Sequence, residues 1–140
     1  MYDRLVTAVR LLLGAAYLVG GLNWFVKLID PYPAIVDYLH APPPADLVGA
    51  LIQTGILFHM VKAIELLAGI ALLANRFVPL ALVVSAPVTV VVFVVDVFVS
   101  HHLRAKVMGT GSLAMHGFLL LAYMSVYRPM LAARTRHDPL

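Results

Sequence analysis

Four apolar stretches, each long enough to cross a lipid bilayer, leave this chain few choices of fold. They run from about Leu5 to Ile29, Leu47 to Leu73, Phe77 to Val99 and Val107 to Tyr127. A helix rises about 1.5 Å per residue, so each of them spans a hydrocarbon core of roughly 30 Å, some with tilt. Lipid offers backbone N–H and C=O groups no partner, which makes each span a helix and not a strand. The β-branched run VVSAPVTVVVFVV would favour a strand in water, but its length and its neighbours override that propensity. The expectation is an all-α, integral-membrane four-helix bundle, with residues 1–140 forming one transmembrane domain. Composition agrees: 62% of the residues are hydrophobic and 12% charged, too little charge to cover a water-soluble surface. The bilayer is therefore the first partner.

The net charge of +3 is scattered along the chain, which argues against a nucleic-acid surface. There is no cysteine, so no disulfide, thiolate nucleophile or iron–sulfur cluster can form from this chain. A redox role would have to use a bound cofactor or a partner subunit. Arg4 and Arg10 precede the first span, but no A-x-A-like site follows a short apolar core, and the first span is expected to be retained.

The connections predict orientation. DPYPAIVDYLHAPPPAD joins the first two spans and reads as an ordered proline-rich loop carrying Asp30, Asp37 and Asp46. A tight turn at Asn75–Arg76 joins the next two, and SHHLRAK the last two. Arg4, Arg10, Arg76, Arg128, Arg134 and Arg136 fall on one side of the membrane, against Lys27, Arg104 and Lys106 on the other. The excess of positive charge places both termini in the cytoplasm and the proline-rich loop outside. Tyr2 and Tyr127 at one face, and Trp24, Tyr32 and Tyr38 near the other, fit aromatic interface belts.

Charged groups at membrane depth cost about 2.5–3.5 kcal/mol each on insertion scales, so each one present needs a reason. In TGILFHMVKAIELLAGIALL, Gly55, Lys62 and Gly69 fall near one line of the helix, with His59 and Glu65 about 60° to either side. One face thus joins small residues, which permit close helix approach, to three ionisable groups. Lys62 and Glu65 stand at i, i+3, the spacing of an ion pair that either fixes packing or forms a working polar site. The third span carries Ser85, Thr89, Asp96 and Ser100 on one face, interrupted by Pro87, where a kink is expected. Serine and threonine on such a helix usually bond their own backbone, and Asp96 lies about one turn from the span end. His116 sits mid-span in the fourth helix. With His59 it offers two histidines that could ligate a haem b, but a hydrogen-bonded core histidine is the better reading. His101 and His102 lack a third ligand for a metal and read as interfacial. Asn23, in GGLNWF, can cap its helix or bond across helices. The candidate polar cluster is Asn23, His59, Lys62, Glu65, Asp96 and His116, with no catalytic residue assigned and no metal expected.

These segments resemble the DoxX-like family of small four-helix integral membrane proteins. The resemblance rests on RLLLGAAYLVGGLNWF, on TGILFHMVKAIELLAGIALL followed by a compact turn, and on NRFVPLALVVSAPVTV. Its most specific parts are Glu65 within ELLAG and Pro87 within APV. Where family members commonly show a Phe–His pair late in the third span, this chain has Val95–Asp96. The resemblance implies an accessory subunit of a quinone-linked oxidoreductase or respiratory complex, with membrane-protein subunits or further copies of the chain as partners; it fixes no cofactor, and quinone is the one it leaves open. It also implies a multi-pass protein of a bacterial cytoplasmic (inner) membrane. The alternatives are a stand-alone small transporter or proton relay, and an assembly factor for another membrane protein. An enzymatic activity of the chain's own is not implied.

Overall fold

The computed structural model describes residues 1–29, 49–50, 55–100 and 103–131, all of them helical or in short connections. Four of its helices are long and apolar enough to cross a membrane. They are α1 (Tyr2–Val26), α2 (Ile56–Leu73), α3 (Val78–Val94, prolonged by a π-helical turn at Val95–Val99) and α4 (Leu103–Ala122). A short α5 (Met124–Tyr127) and a 3₁₀ turn (Arg128–Leu131) follow. The proline-rich loop, with Tyr32 and Tyr38, lies outside the described residues, as do His101, His102, Arg134 and Arg136.

The described boundaries differ most from the apolar runs at three places. Residues 49 and 50 are helical, but α2 itself starts at Ile56, behind Gly55 at φ +82°. A residue at positive φ cannot continue a right-handed helix, so α2 is shorter than the apolar run that begins at Leu47. α4 starts at Leu103, because polar Arg104 and Lys106 are accepted in an exposed first turn. It ends at Ala122, where Tyr123 turns out of the helix.

Each helix end is closed by its own residues. Lys27 takes the left-handed conformation at the end of α1 and its N–H bonds the carbonyl of Asn23 at 2.9 Å. The end of α2 is a Schellman motif: Asn75 at φ 54° supplies the left-handed residue, Arg76 N–H bonds Ala71 O at 3.0 Å and Asn75 N–H bonds Leu72 O at 3.3 Å. Pro79 then stands in the first turn of α3, where its missing N–H costs nothing. That is the physical content of the tight turn at Asn75–Arg76.

Neighbouring helices run antiparallel in the order α1, α2, α3, α4, and α4 closes back on α1. α1 and α2 approach most closely, because glycines on each admit the other's backbone. A Cβ on Gly69 would fall 2.5 Å from Leu18 N and 2.9 Å from Gly14 O; one on Gly21 would fall 2.7 Å from Leu66 N. The apolar core, Leu13, Tyr17, Ala68, Leu72, Val78, Ala81, Leu82 and Leu119, sits toward the end of the bundle that carries Met1. Outward-facing Leu12, Leu67, Leu80, Val91 and Leu121 are exposed, as lipid-facing side chains must be.

At Gly69 any side chain meets backbone, which cannot swing aside, whereas a Cβ at Gly117 has no neighbour within 4 Å. Gly69→Ala should destabilise the bundle by about 1–3 kcal/mol, while Gly117→Ala leaves the melting temperature in detergent unchanged or slightly higher. Equal melting temperatures for the two variants would contradict the close α1–α2 approach.

Candidate functional site

The polar residues gather in two groups at different depths. The first is on α2. Lys62 Nζ donates to Glu65 Oε2 at 2.7 Å, and its ammonium lies 5.5 Å from the centre of the Phe58 ring. Glu65 is 6% exposed and faces α1, where a Cβ on Gly20 would lie 3.8 Å from its Oε2. A bulkier residue at Gly20 would press on the carboxylate. Lys62 is less deeply held, so the pair is buried at its acidic end and partly exposed at its basic end. Such a pair is poor evidence of net stabilisation, since desolvation offsets most of the attraction, but losing one partner strands a charge.

Aromatic groups flank this pair toward the Trp24 end of α1. Trp24 packs edge-on against Phe58 with ring centres 4.7 Å apart and against His59 at 5.7 Å. His59 Nδ1 bonds the carbonyl of Gly55, and because a carbonyl only accepts, that nitrogen carries the proton. Across from α2, Asp96 stands in the π turn of α3, half-buried, within electrostatic range of both Lys62 and Glu65.

The second group is deeper and joins three helices. Tyr17 of α1, Thr89 of α3 and His116 of α4 converge: Tyr17 Oη bonds Thr89 Oγ1 and lies 2.9 Å from His116 Nδ1, which is also 3.0 Å from Thr89 Oγ1. His116 Nε2 donates to Leu82 O at 3.0 Å, so in the neutral ring Nδ1 is an acceptor within reach of two hydroxyls; Thr89 gives its proton to Ser85 O, which leaves Tyr17 as the donor to the ring. Ser85 and Thr89 also bond the carbonyls four residues back, Ala81 O at 2.7 Å and Ser85 O at 2.9 Å, as expected of hydroxyls on a membrane helix. Glu65 is in electrostatic range of Tyr17, which links the two groups by field alone. Both nitrogens of His116 are engaged inside the bundle, so this ring does not fit as an axial haem ligand.

Of the six residues singled out from sequence, Lys62 and Glu65 touch, Asp96 lies within their field, and His59 sits one turn away beside Trp24. His116 belongs to the other group. Asn23 is buried near the end of α1, and its Oδ1 accepts the N–H of Ile29, just past the helix, at 2.6 Å. Two residues escaped sequence reasoning. Tyr17 was hidden among apolar neighbours, and its only signal was a hydroxyl at mid-span. Arg10, counted as an orienting charge, is 8% exposed and donates to Leu72 O at the end of α2, where the helix dipole favours a cation.

A family model described as DoxX matches residues 5–102, well over half of the chain. The chain belongs to the DoxX family. The DoxX match runs from α1 through the π turn and includes Lys62, Glu65, Pro87 and Asp96, while α4, with Gly109 and His116, follows the matched segment. Neither the curated proteins nor the solved structures give a match.

Tyr17 donates to His116 Nδ1, and Thr89 can turn its proton from Ser85 O to the ring if Tyr17 is lost. Tyr17→Phe and Thr89→Val should each cost about 0.5–1 kcal/mol, since the other hydroxyl remains. Together they leave a buried acceptor without a donor, and the double variant should exceed the sum of the singles by about 1 kcal/mol in thermal or denaturant unfolding. Strict additivity would show that the ring nitrogen is served from elsewhere.

Proposed function

We propose that this DoxX-family chain is an accessory subunit of a quinone-linked oxidoreductase or respiratory complex, and that its polar residues receive the head of a small lipid-soluble ligand or a partner's helix. One observation carries this reading: an ammonium–carboxylate pair stands inside a membrane helix, with Glu65 buried against α1 and the Lys62 side chain 19% exposed. A purely structural pair would gain from sealing both ends, because each exposed proton weakens the attraction that offsets desolvation. Lys62 makes one hydrogen bond among the described residues, so two of its three N–H donors are uncommitted. A quinone suits such a pair: Lys62 would donate to a carbonyl oxygen, with the Phe58 ring beside the ammonium. The quinone, when bound, would carry the electrons and protons; the chain's own part is to bind and orient its head.

With no cysteine in the chain, the redox centre of such a complex would sit on another subunit. In this reading both termini face the cytoplasm of a bacterial inner membrane, and residues 1–140 act as one transmembrane unit. A second reading, a stand-alone proton relay, draws on the Tyr17–Thr89–His116 group and its field link to Glu65. An assembly role for another membrane protein shares the partner but not the ligand.

Affinity purification of the tagged chain in mild detergent, followed by mass spectrometry, separates these readings. A stoichiometric partner that carries a flavin, haem or iron–sulfur centre is expected. Recovery of the chain alone, or only with copies of itself, would contradict the subunit reading and favour the relay.

A further inference from the structure

The α2–α3 hairpin leaves a groove on the outside of the bundle that its own side chains do not fill. Ala68, Ala71 and Ala81 line it with side chains too short to close the space between the helices, and the exposed side chains of Leu67, Leu80 and Val84 border it. Its volume is about 230 Å³, more than the roughly 150 Å³ in which an apolar protein cavity accepts benzene. From the turn at Asn75–Arg76 it extends inward past Ala71 to Ile64 along α2, about 10 Å at 1.5 Å per residue. Both helices are membrane spans here, and none of the described lining residues has a polar side chain, so water has no partner in the groove. Hydrocarbon is what it can hold. The groove shares no described residue with the Lys62–Glu65 pair.

The turn supplies charge at the mouth of the groove. Arg76 stands between Asn75 and Phe77, both at φ 54°, and its N–H bonds the carbonyl of Ala71 at 3.0 Å. Positive φ is an outlier for a bulky residue such as Phe77, which is exposed and lines the groove where it reaches the turn. The backbone of Arg76 is thus fixed beside the groove, while its guanidinium makes no hydrogen bond or ion pair among the described residues.

We propose that the groove holds one acyl chain of an anionic phospholipid, whose headgroup phosphate accepts hydrogen bonds from Arg76. A guanidinium matches a phosphate with two parallel N–H···O bonds. This end of the bundle is positive as a whole, with Arg4, Arg10, Arg76 and Arg128 against Asp3 among the described residues. A zwitterionic headgroup sets a second cation near the guanidinium and loses part of the attraction. A second copy of the chain fits the same face less well. Seated there in the same membrane orientation, it would bring two Arg76 side chains to one depth, where like charges oppose the contact. Charge complementarity therefore selects the lipid.

The test titrates the full chain in mild detergent with phosphatidylglycerol and phosphatidylcholine of identical acyl chains, and reads bound lipid by native mass spectrometry. The parent should bind one phosphatidylglycerol about ten-fold more tightly than phosphatidylcholine, the effect of one hydrogen bond between charged groups. Arg76→Gln, an exposed change in a turn, should bring the two lipids to equal affinity. Arg4→Gln removes the same charge from the same end of the bundle and should leave the preference intact. Ala71→Phe fills the groove and should weaken both lipids; if circular dichroism shows that variant unfolded, Leu80→Trp covers the groove from its exposed border and is expected to do the same. Equal affinities in the parent, a preference that survives Arg76→Gln, or an equal loss in Arg4→Gln would overturn the site. So would a dimer that carries no lipid and comes apart in Ala71→Phe or Leu80→Trp, which would assign the groove to a second copy.

Discussion

The backbone-to-backbone approach of α1 and α2 at Gly21 and Gly69 is the contact on which the rest of the bundle is arranged. It brings Gly20 over the carboxylate of Glu65, Arg10 to the last carbonyls of α2, and Trp24 onto Phe58 and His59. No hydrophobic effect drives two helices together in lipid, so close packing and internal hydrogen bonds must do it. Small residues permit the approach, and the approach then shields the polar groups that the interface carries. If the two helices stood farther apart, Glu65 would face acyl chains.

From that contact the bundle divides along its length. Toward the Met1 end the interior is apolar apart from Arg10 and tightly filled, with Leu13, Leu72, Leu82 and Leu119 fully buried. At mid-depth the Tyr17–Thr89–His116 group joins α1, α3 and α4 with every ring nitrogen of His116 bonded. Toward the Trp24 end Asn23 and Glu65 are buried, while Lys62 and Asp96 are only partly buried and keep bonding capacity to spare. A stable, saturated half and an unsaturated half suit a protein that holds its shape while presenting a site to a ligand or another subunit.

Much of this was legible in the sequence, for reasons that differ from residue to residue. Four helices followed from the lengths of the apolar runs, because a bilayer permits no other structure for them. The i, i+3 spacing of Lys62 and Glu65 made them neighbours on one helix, and the turn at Asn75 was marked by a residue that tolerates positive φ. What was hidden depends on partners brought by tertiary packing. Tyr17 reads as one more large side chain in an apolar run until Thr89 and His116 are placed beside it. Arg10 reads as a topology signal until the end of α2 arrives. The π turn that carries Asp96 is a shift of hydrogen-bond register, which leaves no trace in composition. Asn23 was open to two roles, and the fold shows its Oδ1 holding the N–H of Ile29 just past the end of α1.

The account depends most on Lys62 and Glu65 being coupled inside the membrane. A double-mutant cycle on the thermal stability of the full chain in one detergent tests this directly, with Lys62→Met, Glu65→Leu and the pair of changes together. Either single change should destabilise by about 3–5 kcal/mol, reduced by whatever the surviving group recovers through its protonation state, and the double change should cost much less than either. Single variants as stable as the parent, or costs that simply add, would contradict a coupled pair and place both residues in water.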